Sequence, residues 1–444
     1  MIRWLRKLRE MLRPIYNSIG FLPSFMCFVF FFLALFAIRL EQSGLDQWLS
    51  EHFSWTQIDT ADTARSIMGT IASGVISLTV FSFSMVMVVL SQATSNFSPR
   101  LLPGLISDRR NQSVLGVYLG TIIYAMVLMF NVRAVENNYE VPSIAVLLGV
   151  MLMGLCMMLF IFFIHGISSS IQISTVLQNI YDKTQIYLSL AEESHTDLPA
   201  PYEILHHPIY APTSGYLQEI RQQALIRCCQ EKNILLGMAQ IQGDFVMKDE
   251  VLCYTDRAIT DPETIDLIQN HFVFYNGEWI ADNYIYGFKH LSEVAVKALS
   301  PGINDPATAV SVLNHLGVLF RKYLTVQEYK PLVDNQHKVR LIVRNHHLFE
   351  LLQKTLGPIR FYGKEDVHVM ERLFWLMQQL LQHCDVESTR AEALYPFTQS
   401  IYQSAQHYIA HPQDRDWLNQ RLQWINECLP ENQRLPLLQY QGRT

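Results

Sequence analysis

The sequence predicts an integral membrane α-helical protein. Four transmembrane helices are followed by a cytoplasmic α+β region made of a small β-module and a helical domain. Three observations carry this expectation. Half of the 444 residues are hydrophobic and only 17% are charged, a balance that excludes disorder and a disulfide scaffold. The apolar residues crowd into the first 166 positions. The charge divides at the same place: residues 1–166 hold 11 basic and 9 acidic side chains, and the remainder holds 23 and 31. The acidic second half lacks the clustered Lys and Arg of nucleic-acid binding, so no nucleic-acid partner is expected.

Residues 1–20 form a basic arm with Arg3, Arg6, Lys7, Arg9 and Arg13. Residues 21–166 hold four apolar runs, Phe21–Ile38, Ile67–Leu90, Val114–Phe130 and Val141–Ile164. Each is long enough, or nearly so, to cross a hydrocarbon core of ~30 Å as a helix, which makes the lipid bilayer the first expected partner. The first run exceeds a signal-peptide core and no small-x-small cleavage site follows it, so it reads as a signal anchor. The loop over 41–65 is acidic, whereas the loop over 91–113 carries Arg100, Arg109 and Arg110. That bias places the N-terminus, the 91–113 loop and the C-terminal half on the cytoplasmic side. The seven cysteines form no CxxC pair and read as reduced thiols.

The second run is the informative one. At ~100° per residue, Ser66, Thr70, Ser73, Ser77, Ser84 and Ser91 fall within an arc of about 60°. A narrow face of small hydroxylated residues lets helices approach closely in lipid, and it also suits the lining of a hydrated path. Both readings imply a homo-oligomer, and the second admits an ion or small ligand. None of the four runs carries an ionisable residue at mid-span, which argues against proton-coupled transport.

Two stretches, SQATSNFSPRLLPGLISDRRNQSVLGVYLGTIIYAM (Ser91–Met126) and YGFKHLSEVAVKALSPGINDPATAV (Tyr286–Val310), resemble the bacterial membrane proteins of domain-of-unknown-function family 2254. The resemblance covers roughly residues 15–400. It implies an integral protein of the bacterial inner membrane, with several N-terminal helices and a cytoplasmic domain, and it carries no settled activity. Its motif residues in the loop after the second run are Phe97, Ser98, Pro99, Arg100, Asp108, Asn111 and Gln112.

Residues 167–210 read as a polar stalk helix continuing from the fourth run, then a Pro-rich linker. Residues 211–257 have the alternation and turn chemistry of a small β-barrel-like module. Residues 258–430 read as mainly helical, with a strand at Lys338–Asn345 and a helix starting at the following His346-His347-Leu348-Phe349-Glu350; residues 431–444 form a polar tail. Within the helical region, Ser300-Pro301-Gly302-Ile303-Asn304-Asp305-Pro306 joins two helices, with Asp305 as N-cap, Pro306 at the first helical position and Gly302 as the expected positive-φ residue. Ser300, Pro301, Gly302, Asn304 and Asp305 are therefore candidates for a ligand or gating loop, against the simpler reading of a capped turn.

No HExxH, GxSxG, phosphate-binding or dinucleotide-binding glycine motif occurs, and no Cys–His cluster with metal spacing. No catalytic residue, cofactor or metal is expected. The function expected is that of an oligomeric channel- or pore-like protein with a cytoplasmic regulatory domain. The alternatives are a non-enzymatic membrane sensor or scaffold, and a membrane-bound enzyme with an unrecognised site.

Overall fold

A computed structural model describes residues 20–40, 60–96, 109–131, 143–170, 172–192, 204–274, 280, 283–384 and 389–439. The expected loop residues Phe97, Ser98, Pro99, Arg100 and Asp108 lie outside this set. The chain divides into two compact units, with the main boundary between Thr175 and Val176.

The first unit contains α1 (Phe21–Leu40), α2 (Ala61–Asn96), α3 (Arg109–Asn131) and α4 (Ser143–Ser170). All four are long and apolar enough to cross a membrane. The 36 residues of α2 span about 54 Å, well beyond the hydrocarbon thickness. α3 meets α1 through glycines one turn apart. A Cβ on Gly116 would lie 2.7 Å from the Met26 sulfur, and one on Gly120 would lie 2.6 Å from the Phe30 ring. In lipid, where apolar burial gives little net drive, such small-residue contacts let van der Waals packing hold helices together. The interior holds Met68, Val75, Tyr118, Tyr124 and Cys156, and the Tyr124 hydroxyl donates to the Ala145 carbonyl at 2.7 Å. Phe28, Phe36, Val80 and Phe162 point outward, as lipid-facing side chains do.

The second unit takes in α5 (Ile173–Glu192) from Val176 onward. The polar stalk expected over this stretch is not what forms. α4 ends at Ser170, and α5 buries Val176, Leu177, Ile180, Thr184 and Leu188, spaced to lie on one helix face. That face packs on α8 (Ile285–Ala298), where the Thr184 side chain occupies the space a Cβ on Gly287 would need. The Tyr181 ring also meets His315 of α9 (Pro306–Tyr323) edge to face at 5.2 Å.

Two sheets follow. The first joins β1 (His207–Tyr210), β5 (Val251–Thr255), β3 (Leu236–Met238), β8 (Val339–Arg344) and β7 (Tyr329–Val333) in that order. All pairings are antiparallel except β3 with β8, where Leu236 stands opposite Leu341. The second joins β4 (Phe245–Val246), β2 (Gly215–Ile220) and β6 (Phe272–Phe274). The strands of 211–257 therefore do not close on themselves. Their partners β6, β7 and β8 lie beyond residue 257, because the apolar β8, buried at Arg340–Val343, supplies the cover that β3 needs. One core joins strand and helix residues: Leu217, Leu236, Leu252 and Leu341 pack with Leu225 and Cys229 of α6 (Gln222–Lys232). α7 (Pro262–Gln269) packs there through Ile268 and is capped by Asp261, which accepts from the Glu263 N–H.

The remaining helices are α10 (Leu348–Gly363), α11 (Val367–Leu381), α12 (Thr389–Tyr408) and α13 (Pro412–Glu427). Glu371 on α11 accepts from Arg421 on α13 at 2.6 Å, a half-buried ion pair that ties the two together. The segment after α13 is polar by composition, yet Leu435 and Leu438 are buried. Three side-chain amides hold its backbone as a neighbouring strand would. Asn426 pairs with Leu435, Asn419 with Leu438 and Gln406 with Gln439, each both giving and accepting a hydrogen bond.

Candidate functional site

Each hydroxyl residue of the α2 face is exposed on the single chain: Ser66, Thr70, Ser73, Ser77, Ser84 and Ser91. The face that packs into the bundle carries Ala64, Met68, Ile71, Val75 and Ser82 and lies about 180° around the helix. Among the described residues, the hydroxyl face is thus not a seam within the chain. Thr70 donates to the Ser66 carbonyl at 2.8 Å, Ser77 to Ser73 at 3.0 Å and Ser84 to Val80 at 2.9 Å, so these hydroxyls are satisfied by their own helix. Val80 and Met87, also exposed, continue the stripe at alternating steps of three and four residues, the spacing of a supercoiled helix contact. Asn111 and Gln112 sit in the first turn of α3, Gln112 buried and Asn111 half-buried.

The Ser300–Asp305 loop is a tightly bonded turn. The Asn304 N–H donates to the Ser300 carbonyl, the Asp305 N–H to Ala298, and the Ser300 hydroxyl to Lys297. Asp305 caps α9 by accepting from the N–H and the hydroxyl of Thr308 at 3.1 and 2.6 Å. The positive φ falls on Asn304, at 50°, and not on Gly302 as expected. Asn tolerates that conformation through its short polar side chain. Pro301, Gly302 and Asn304 are exposed, and a Cβ on Gly302 would meet nothing.

The most concentrated chemistry lies elsewhere, where β8 runs into α10. Asp244, His346 and Glu350 bring one donor atom each to within 4.8 Å of one another. Asp244 comes from the turn before β4. Gly243 there adopts φ 101°, and a Cβ on it would lie 2.6 Å from the Asn283 amide. Asn283 in turn donates to the Gln242 carbonyl at 2.7 Å and the Gly243 N–H donates to the Leu217 carbonyl at 2.7 Å, which fix the turn that carries Asp244. His346 lies two residues after β8, with its carbonyl accepting from the Tyr323 hydroxyl at 2.7 Å. Glu350 follows in the first turn of α10, where His347 caps the helix by accepting from the Phe349 N–H.

Lys354, one turn on, reaches back to Glu350 at 2.7 Å and to Asp244 at 3.5 Å. His346 Nδ1 is 3.8 Å from the other Glu350 oxygen, beyond hydrogen-bond length, and is buried without a hydrogen-bond partner. Burial lowers the His346 pKa below its ordinary value. For Glu350, burial favours the neutral form, but the hydrogen bond and charge of Lys354 and the neighbouring His346 outweigh it and hold the carboxyl below the usual range. Burial of Lys354 opposes its charge, and its pairing with Glu350 and Asp244 raises its pKa nonetheless.

His346 also borders two cavities. One, of about 220 Å³, is lined by Asn283, Tyr284, Lys330, Arg344 and Asn345, with no carboxylate among the described lining residues. The other, of about 400 Å³, lies beside Tyr323, Glu328, Tyr329 and Arg390. On the smaller cavity, Arg344 Nε is buried without a hydrogen-bond partner. Cationic walls of this kind suit a small charged ligand. Cysteine chemistry has little support in this unit: burial pushes the Cys229 thiol up to about 12 and the Cys253 thiol higher still.

Sequence reading missed this cluster because Asp244 and His346 stand about a hundred positions apart. The one local sign was the four-residue spacing of His346 and Glu350 at a helix start.

The helical membrane unit, the mixed second unit and the two sequence stretches noted above meet in a single comparison. The family model for predicted membrane proteins of unknown function 2254 matches residues 16–379. The chain belongs to this family. Similar relatives are uncharacterised proteins of Mycobacterium bovis and of two strains of Mycobacterium tuberculosis, each 26% identical over 376 residues, which is 80% of this chain and 71% of the relative. No solved structure matches the chain. Family 2254 thus fixes the class as a membrane protein, and the match reaches through α2, the Ser300–Asp305 turn and the His346 cluster as far as α11.

Proposed function

We propose that this member of family 2254 is a channel- or pore-like oligomer of the bacterial inner membrane, assembled through α2, with the second unit as its cytoplasmic regulatory part and no catalytic role. One observation carries the reading. The hydroxyl stripe of α2 is exposed on the single chain and lies opposite the face that packs into the bundle. An exposed stripe of small residues at supercoil spacing suits contact with α2 of another copy. Thr70, Ser73, Ser77 and Ser84 then line or flank the path between copies. The basic loop over 91–113 and the basic arm favour a cytoplasmic N-terminus and second unit.

The test is ion flux from liposomes holding the purified chain, beside Ser77→Trp, with oligomeric state measured for both. Flux that vanishes in an intact Ser77→Trp oligomer supports a path along α2. Absence of flux from a well-folded native oligomer, under several salts and an applied voltage, overturns it. A second reading, a membrane sensor or scaffold, draws on the hydroxyls that donate to their own carbonyls and so need neither water nor a partner. In that case Ser77→Trp breaks the oligomer itself.

A further inference from the structure

We propose that Asp244, His346 and Glu350 bind a divalent metal ion, such as Zn²⁺, at the junction of β8 and α10. The donor set is one imidazole and two carboxylates, with donor atoms within 4.8 Å of one another. Around an ion held at about 2.0–2.2 Å, neighbouring donors stand some 3–4 Å apart. The separation of 3.8 Å between His346 Nδ1 and Glu350 already falls in that range. Only a small rotation of the Asp244 and Glu350 side chains closes the rest. Both have room for it, with side-chain exposures of 37% and 41%.

The independent observation is the orphaned imidazole. Lys354 satisfies both carboxylates, but it offers nothing to His346 Nδ1, which is buried on a residue only 4% exposed and has no hydrogen-bond partner. A buried polar atom left in that state costs free energy. A divalent cation satisfies all three donors at once, where the Lys354 ammonium satisfies two. Lys354 is half-exposed at 49%, on a flexible stem, and can swing into solvent when the ion enters. Three protein ligands leave a fourth position to water on the open side. The supporting shell is already in place: the Gly243 turn anchored by Asn283 holds Asp244, and the Tyr323 hydroxyl holds the His346 backbone. Nothing in this inference depends on conduction by α2, so the two readings stand or fall separately.

The experiment uses the full chain purified in detergent and stripped with a chelator. Zn²⁺ is titrated by calorimetry, with bound metal counted by elemental analysis, for the native chain, His346→Gln, Glu350→Gln and Lys354→Met. The expected result is one Zn²⁺ per native chain. Because loss of even an outer-shell partner costs about 10–100-fold in metal affinity, His346→Gln and Glu350→Gln each lose at least about tenfold. Lys354→Met binds at least as tightly as native, since the competing ammonium is gone. Glu350 and Lys354 are partly exposed, so their variants keep the comparison alive if His346→Gln fails to fold. No stoichiometric Zn²⁺ on the native chain, or equal binding by Glu350→Gln, overturns the site.

Discussion

The α2 hydroxyls of the membrane unit and the ion pairs of the second unit find their partners in opposite ways. On α2 the partners are local: the hydroxyls of Thr70, Ser77 and Ser84 each donate to a carbonyl four residues earlier in the same helix, whereas in the same unit Tyr124 reaches the Ala145 carbonyl of α4. In the second unit the partners are remote. Arg421 reaches Glu371 across 50 positions, Lys354 reaches Asp244 across 110, and Arg340 reaches Asn233 across 107. A lone helix in lipid has no water to fall back on and must satisfy its backbone and hydroxyls from within. A packed domain can satisfy its polar groups with tertiary partners, and it then depends on them.

That contrast is open to direct attack. The largest effect is expected at Gly287, where α5 meets α8 with no room for a side chain. Gly287→Leu is expected to destabilise the second unit by about 3 kcal/mol or more, as overpacking does, seen as a lower unfolding midpoint in detergent. Unchanged melting would mean that α5 is a free stalk after all. Next is Glu371→Ala, which removes the carboxylate partner of Arg421 and leaves it the Gln378 amide oxygen. Removing one partner of a buried pair costs roughly 3–5 kcal/mol, and since Arg421 is 21% exposed the expected loss is about 2–3 kcal/mol. Restoration by the double change Glu371→Ala with Arg421→Leu, measured as a thermodynamic cycle, would assign that loss to the pair.

The amide ladder on the C-terminal segment gives a smaller effect. Asn426→Ala removes two hydrogen bonds to Leu435 and is expected to cost about 1–2 kcal/mol. Hydrogen exchange at Leu435 should accelerate while the membrane helices remain unchanged. Near neutrality the acid response is smaller again. The Arg340 hydrogen bond holds the Asp334 carboxyl below its ordinary 3.8. Its folded value is therefore lower than its unfolded value, so its contribution to stability is full above about pH 4 and is lost as pH falls further. Asp334→Asn should flatten that part of the acid-unfolding profile; an unaltered profile would show that the pair carries no linkage. Smallest is Ser77→Ala, which removes a hydroxyl bonded only to its own helix and is expected to change thermal stability by less than about 0.5 kcal/mol.

The same contrast explains how much was legible in the sequence. The four spans were readable because hydrophobic length is a local property, and α1 to α4 fall on the apolar runs with ends shifted by several residues. The cap at Asp305 was readable because capping acts over three residues. The positive φ at Asn304 was misplaced onto Gly302, since the turn's path depends on the Ala298 carbonyl capturing the Asp305 N–H. The β-module does not close at 257, because β3 finds its parallel partner β8 about a hundred residues later. The Asp244, His346 and Glu350 cluster left no motif for the same reason.

By itself, the sequence determined that this chain is a four-span membrane protein with a large second unit, because partitioning into lipid depends on the length and composition of single segments. Only the tertiary structure decided that the hydroxyl face of α2 points away from its own bundle, that α5 belongs to the second unit, and that Asp244 meets His346. Those outcomes depend on which surfaces close against each other, and such closure is a property of the whole packed unit rather than of any segment.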